Sequence, residues 1–245
     1  MDLKWVAVIV AFFLASFVKG TTGMGFPLIA TPMVAMLVDI KTAYALLVLP
    51  NIVMDTLQIA RGEWPWHLWR RLAWMLGMTA VGVFLGTRIM LSVPERVIYL
   101  ALAATILVFL VCASLQIRLV TLSRWETWLG PTVGLANGIL AGVTNVPGPL
   151  PALYLLGLDF EKLDFVKGLA SIVLTAKLSQ LVAIFRWGLY TGEILAWSTG
   201  LAGAALVGFG AGLRVHDRVP QAAFGRIVHL LLFGMGVVFI YRGLM

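Results

Sequence analysis

The chain has 245 residues, of which 61% are hydrophobic and only 12% are charged, and its formal net charge is +7. A soluble domain carries about a quarter charged residues, so this composition excludes a water-soluble protein and predicts an all-α protein that crosses a membrane several times. The size favours one compact helix bundle. The basic residues lie at segment ends, where they suit lipid headgroups rather than nucleic acid. The single cysteine excludes an intrachain disulfide.

About eight apolar segments follow one another, and the first and fifth are interrupted by glycine and proline. Each unbroken segment has about the 20 residues that a bilayer span needs. Three tryptophans beside basic residues at 64–71 are typical of a membrane interface, although an aromatic ligand cage is an alternative. A polar loop is expected at 159–167. The segments lie at about 3–38, 42–60, 72–90, 93–115, 129–158, 168–185, 194–213 and 222–241.

The second half of the chain repeats features of the first half. A glycine-rich stretch that ends in arginine at 82–88 is matched at 208–214, and both contain small residues four apart. Such spacing lets helices approach closely. We therefore predict a first transmembrane repeat at 1–115, a linker at 116–128 and a second repeat at 129–245.

Two membrane topologies are compatible with this repeat. If each broken segment crosses the membrane, the halves are parallel and the loop Lys and Arg residues divide evenly between the two sides. If each broken segment is re-entrant, the halves are inverted and the basic residues concentrate on one side. The positive-inside rule favours inverted repeats, which would place both termini outside the cytoplasm. The first segment is expected to be retained rather than cleaved as a signal peptide.

The breaks themselves, at 19–27 and 140–150, point to function. Glycine and proline end a regular helix, and backbone freed at membrane depth is tolerated where it is buried in protein or lines a wet cavity. Broken segments at matching positions of two halves mark the substrate site in many transporters. Simple helix kinks are the structural alternative.

Three ionisable side chains lie inside the predicted spans, where charge is expensive: Lys19, Asp55 and Lys177. Asp55 belongs to a polar stripe, since Asn51 and Gln58 share its helix face at helical spacing. Segment 6, the counterpart of segment 2, carries Lys177 at a similar depth. The structural alternative is an ion pair between Asp55 and a lysine, with Lys19 reaching to an interface.

The functional interpretation is an anion site near the membrane midplane. The lysines would supply charge, the N-termini of the half-helices would direct backbone N–H groups at the ligand, and neutral polar side chains would add donors. Asp55 could pair with a lysine in the empty site or carry a coupled proton. The predicted substrate-binding residues are Lys19, Thr21, Thr22, Gly23, Gly25, Asn51, Asp55, Gln58, Thr144, Asn145, Lys177 and Gln180.

Enzymatic chemistry finds no support in the sequence. The three histidines are scattered without metal-ligand spacing. No Ser/His/Asp grouping and no phosphate-binding loop of the Walker type is present. We therefore expect neither catalysis, nor a metal, nor a cofactor.

The sequence GTTGMGFP at 20–27, its echo GILAGVT at 138–144 and the duplicated layout resemble the sulfite exporter TauE/SafE family. The resemblance covers nearly the whole chain. It implies transport of sulfur-containing anions, such as sulfite or organosulfonates, across the bacterial inner membrane without an ATPase, in either direction. A channel-like permease for another small ion or solute is the alternative. A proton or sodium ion could be the coupling ion, and the glycine-rich segments could serve a homodimer.

Overall fold

The computed structural model describes residues 3–114, 126–158, 160–215 and 221–244. These ranges are helical and contain no strand, which confirms the all-α prediction. Most of the predicted linker lies outside them, so the division into two repeats stays a prediction. The helices are α1 (Leu3–Thr22), α2 (Phe26–Ala35), α3 (Ile40–Leu46), α4 (Val48–Ile59), α5 (Trp66–Arg71), α6 (Ala73–Ser92), α7 (Glu95–Ser114), α8 (Glu126–Thr144), α9 (Pro149–Leu156), α10 (Lys162–Arg186), α11 (Gly192–Val215) and α12 (Gln221–Leu244).

The helices have the lengths and composition of a multi-pass membrane protein. Large apolar side chains such as Trp74 and Val207 are exposed on outer helix faces, where lipid would cover them. Within the described ranges, five helical stretches are long and apolar enough to span a bilayer: Leu3–Thr22, Ile40–Ile59, Ala73–Ser92, Leu163–Arg186 and Gly192–Val215.

Some helix boundaries differ from the sequence-based expectations. The helical part of segment 1 continues to Thr22 instead of ending near residue 18. Gly20, within this extension, packs closely against the backbone of α11. Segment 2 is divided at Leu47 into α3 and α4. The polar loop expected up to residue 167 is wrong over much of its length, since α10 already begins at Lys162.

Both predicted breaks are present and have similar backbone geometry. The first lies between α1 and α2, and the second between α8 and α9. In each break the residue that follows the first helix has a positive φ angle, 80° at Gly23 and 64° at Asn145. In each, a second positive φ angle occurs just before the next helix, 94° at Gly25 and 155° at Gly148. Each break therefore contains two residues outside the right-handed helical region, and these separate its two helices.

Two helix pairs hold the first halves of the broken segments. Helix α1 packs along α11, and α8 packs along α6. Glycines line both contacts: a Cβ atom added at Gly20 would lie 2.9 Å from the Cα of Gly212, and one at Gly138 would lie 2.8 Å from the Cα of Gly82. Each broken segment is thus fixed by a helix from the other half of the chain.

Helices α4 and α10, which carry the polar stripe and Lys177, lie at the centre of the bundle. Helix α10 packs against both α4 and α6, and α4 also packs against α11. Consequently the stripe on α4 and the lysine on α10 face the same interior region, next to both breaks.

Candidate functional site

A cavity of about 60 Å³ lies between the two breaks. Its volume exceeds what one water molecule needs, and its wall is mostly apolar with a charged end. Both breaks, α4, α7 and α10 contribute to the wall. The lining residues are Lys19, Gly23, Met24, Gly25, Pro27, Leu28, Asp55, Phe109, Val146, Pro147, Gly148, Ala152, Leu169, Ala170 and Val173.

Lys19 and Asp55 form the charged end of the cavity. The Nζ atom of Lys19 donates to Asp55 Oδ1 at 2.5 Å and to Asn51 Oδ1 at 3.0 Å. Both members of the ion pair are almost fully buried. A lysine ammonium has three donors. Two of them are used here, and no acceptor among the described residues takes the third. Asp55 Oδ2 has no hydrogen-bond partner among the described residues.

Lys177 is placed differently from Lys19. Its Nζ atom donates to the backbone oxygen of Asn145 at 3.0 Å, to Asn145 Oδ1, and to Gln180 Oε1 at 2.8 Å. These three neutral acceptors occupy the ammonium fully. Lys177 is buried and does not line the cavity. Lys177 therefore stabilises the backbone of the second break, and its ammonium group does not reach the cavity surface.

Asn145 connects the second break to the rest of the site. Its left-handed backbone is one that asparagine tolerates better than most residues. Its Nδ2 atom donates to Thr31 Oγ1 on α2 at 3.1 Å, and its Oδ1 atom accepts from Gln180 Nε2 at 3.0 Å. A single side chain thus joins the second break to the half-helix of the first.

We expect Asn145→Gly to destabilise the protein even though glycine prefers a positive φ angle. Each lost hydrogen bond to a buried group costs about 1–3 kcal/mol when the partner is left unsatisfied. Several such bonds are lost here, and together they outweigh the relief of a left-handed backbone, which costs an ordinary residue about 1–2 kcal/mol and is one that asparagine tolerates. Thermal unfolding in detergent measures the effect. Gly188, at φ 72° with open space around it, offers the converse control: Gly188→Asn strains the backbone without removing a buried hydrogen bond, so it should destabilise the protein less than Asn145→Gly does. A melting temperature for Asn145→Gly at or above that of the wild type would contradict the role given to this side chain.

The predicted threonines complete the ends of the broken helices. Thr21 and Thr22 donate to the backbone oxygen of Val18, and Thr144 donates to that of Leu140. Gln58 Nε2 reaches the first break, where it donates to the backbone oxygen of Gly23 at 2.7 Å. Thr22 Oγ1 and Thr144 Oγ1 also accept from the backbone N–H groups of Met24 and Val146 in the breaks. The cavity wall includes none of these four side chains.

The structure therefore divides the predicted site residues into two groups. Lys19, Gly23, Gly25 and Asp55 line the cavity. The others surround it and contact the breaks or the charged pair; they are Thr21, Thr22, Asn51, Gln58, Thr144, Asn145, Lys177 and Gln180.

Two half-helices begin at the cavity. Gly25 and Gly148, the residues before α2 and α9, both line it. The first N–H groups of a helix have no partner within the helix, and the helix dipole places partial positive charge there. Proline has no N–H group, and both helices have proline in the first turn. The backbone donors are therefore few and fixed in position.

The apolar wall was missed by the sequence analysis. Phe109 on α7 and Leu169 and Val173 on α10 complete the cavity. Each is an apolar residue within an apolar helix, so no local pattern distinguishes it from a core or lipid-facing residue. Among the described residues, no group of three or more His, Cys, Asp or Glu side chains is placed to hold a metal ion.

Comparison with known proteins gave one match. The profile of the family described as "Sulfite exporter TauE/SafE" matches residues 8–239, which include both breaks and all of the cavity-lining residues. No curated protein and no solved structure gave a significant match.

Proposed function

Since this chain belongs to the TauE/SafE family of membrane transporters, we propose that it is a secondary transporter of a small sulfur-containing anion, such as sulfite or an organosulfonate. The substrate would bind in the cavity between the breaks and cross the bacterial inner membrane there. The direction of net transport follows from the gradients.

The observation that carries this proposal is the position of Lys19 at the end of an otherwise mostly apolar cavity. A charged group inside a membrane protein is costly and marks ion or substrate pathways. Within the part of the chain that the structure describes, Lys19 donates to Asn51 and Asp55 alone, which leaves one donor of its ammonium for a ligand. The first-turn N–H groups of α2 and α9 add fixed donors.

The chemistry of the wall supports an anion with both a polar and an apolar part. A sulfonate group presents oxygens that accept from the ammonium and backbone donors, while Phe109, Leu169 and Val173 can contact a short hydrocarbon group. Ligand sites are commonly apolar with a few polar groups that fix orientation. A channel-like permease, the alternative, would conduct without saturation.

A thermal-shift screen in mild detergent tests the proposal. Sulfite, sulfate, thiosulfate, short alkyl sulfonates, aryl sulfonates and matched carboxylates are compared at constant ionic strength. An anion at a hundred times its dissociation constant stabilises the folded state by about 2.7 kcal/mol. We expect a rise in melting temperature with one class of sulfur anion, no rise in Lys19→Gln, and an unchanged rise in Lys4→Gln, which alters an exposed lysine of the same helix.

Flux measurements in liposomes complete the test. Saturable exchange of the anion found in the screen is expected for a transporter. Flux that rises without saturation would favour the channel alternative. No binding and no flux with any of these anions would overturn the proposed function.

A further inference from the structure

Asp55 lies next to Lys19 in the cavity, where a substrate anion would also bind. Its carboxylate lines the cavity, and Oδ1 accepts from Lys19. Oδ2 is buried without a hydrogen-bond partner among the described residues. A buried polar atom without a partner calls for an explanation in the molecule's chemistry.

A substrate anion at Lys19 would compete with this carboxylate for one ammonium. Two negative groups that share a buried site repel each other strongly, and such a pair favours a proton on one of them. Binding of the anion and protonation of Asp55 therefore assist each other. By linkage, the effect is reciprocal.

We propose that Asp55 is the binding site of a co-transported proton, so that one proton and one monovalent anion cross the membrane together. This inference rests on the proposed function. A proton from water binds the Asp55 carboxylate, Lys19 keeps its own proton and turns to the anion, and both ligands leave on the far side. The cluster of Lys19, Lys177 and Asp55 has one surplus positive charge when empty and the same charge when loaded.

The neighbours of Asp55 favour a proton over a sodium ion. The charged groups that act on Asp55 in the described part of the chain are Lys19 from α1 and Lys177 from α10. Helices α3 and α11, which also pack against α4, add no charged group there. Two nearby ammonium groups repel a metal cation, whereas a proton neutralises the carboxylate without needing several oxygen ligands.

The test uses the full-length protein in liposomes with ethanesulfonate, which stays monovalent near neutral pH and so cannot carry the proton itself. With a more acidic outside and the membrane potential clamped at zero, wild-type protein should concentrate ethanesulfonate inside. One pH unit supports about tenfold accumulation when one proton moves with each anion. A pH-sensitive dye inside the vesicles should report acidification with the same time course.

Two variants separate the coupling from the transport. Asp55→Asn keeps the shape and an acceptor for Lys19 but cannot take up a proton. We expect it to lose accumulation driven by the pH gradient, and any exchange of labelled for unlabelled anion that remains should no longer respond to that gradient. Asp39→Asn makes the same chemical change at the exposed N-cap of α3 and should behave like the wild type. Size-exclusion profiles check that both variants fold.

The outcomes distinguish a failure of the proton coupling from a failure of the proposed transport function. Three results would overturn the proton coupling and leave the proposed function standing. They are anion exchange without proton movement in the wild type, accumulation driven by a sodium gradient, and accumulation driven by the pH gradient in Asp55→Asn. The wild-type measurements decide this even if Asp55→Asn fails to fold. Absence of exchange with every anion of the binding screen would instead overturn the proposed function. Because a proton plus a monovalent anion is electrically neutral, accumulation should also be insensitive to an imposed membrane potential.

Discussion

Lys19→Met should abolish transport of sulfur anions and also lower the free energy of unfolding. Lys19 neutralises Asp55 at 2.5 Å in a site that is almost fully buried. Removal of one partner of a buried ion pair costs about 3–5 kcal/mol, because the remaining charge is left without compensation. Thermal unfolding and anion exchange in liposomes measure the two effects. The exposed Lys4, changed to methionine in the same helix, should leave both near wild type.

The double variant Lys19→Met with Asp55→Asn separates the effect on anion transport from the effect on stability. The asparagine removes the uncompensated charge, so most of the lost stability should return, in line with the small net contribution of buried pairs compared with neutral replacements. Transport should stay lost, because the cation that lines the cavity is gone. A folded double variant that still exchanges the anion would mean that Lys19 and Asp55 form a structural pair only.

The sequence predicts the breaks and the polar stripe because both depend on local rules. Glycine and proline interrupt a helix wherever they occur in this density, and the spacing of Asn51, Asp55 and Gln58 places them on one helix face. The structure shows these three side chains at the first break and its lysine. Local chemistry was sufficient to find them.

Which lysine lines the cavity could not be predicted, because it depends on contacts between distant segments. The sequence predicts Lys19 and Lys177 as site residues and favours Lys177, since the role of Lys19 depends more on how the first break folds. Asn145 accounts for the difference between the two lysines. Its side-chain and backbone oxygens accept hydrogen bonds from Lys177, whereas Gly23, the corresponding residue of the first break, has no side chain that could bind Lys19. The start of α10 was missed for a related reason. A run of charged residues suggests a loop, but Lys167 is buried and donates to the backbone oxygen of Glu63.

Gly142→Ala should cause a large loss of stability, because an added Cβ atom would meet three backbone atoms of the facing helix at once. A Cβ atom at Gly142 would lie 2.6 Å from the backbone nitrogen of Thr87 and 2.7 Å from the Cα of Gly86. These are backbone atoms on the facing helix α6, so no side chain can rotate away. Overpacking of a close contact costs about 1–3 kcal/mol, occasionally more, and here both helices must move apart.

The same substitution should also reduce transport in the protein that remains folded. Gly142 lies two residues before the end of α8, and Tyr44 donates to its backbone oxygen at 2.5 Å. A shift of α8 away from α6 would move Asn145 and the second break, and with them the cavity wall. We therefore expect a lower melting temperature and a lower rate of anion exchange per folded protein.

Gly203→Ala on α11 is the matched control for this effect. No atom lies within 4 Å of a Cβ atom at Gly203, so the change adds helix propensity, worth up to about 1 kcal/mol, without a clash. Its stability should equal or exceed that of the wild type, and its transport should be unchanged. If Gly142→Ala were as stable and as active as Gly203→Ala, the glycine contact between α6 and α8 would not be what fixes the second break. The position of the cavity wall would then have to depend on Asn145, Lys177 and Gln180 alone.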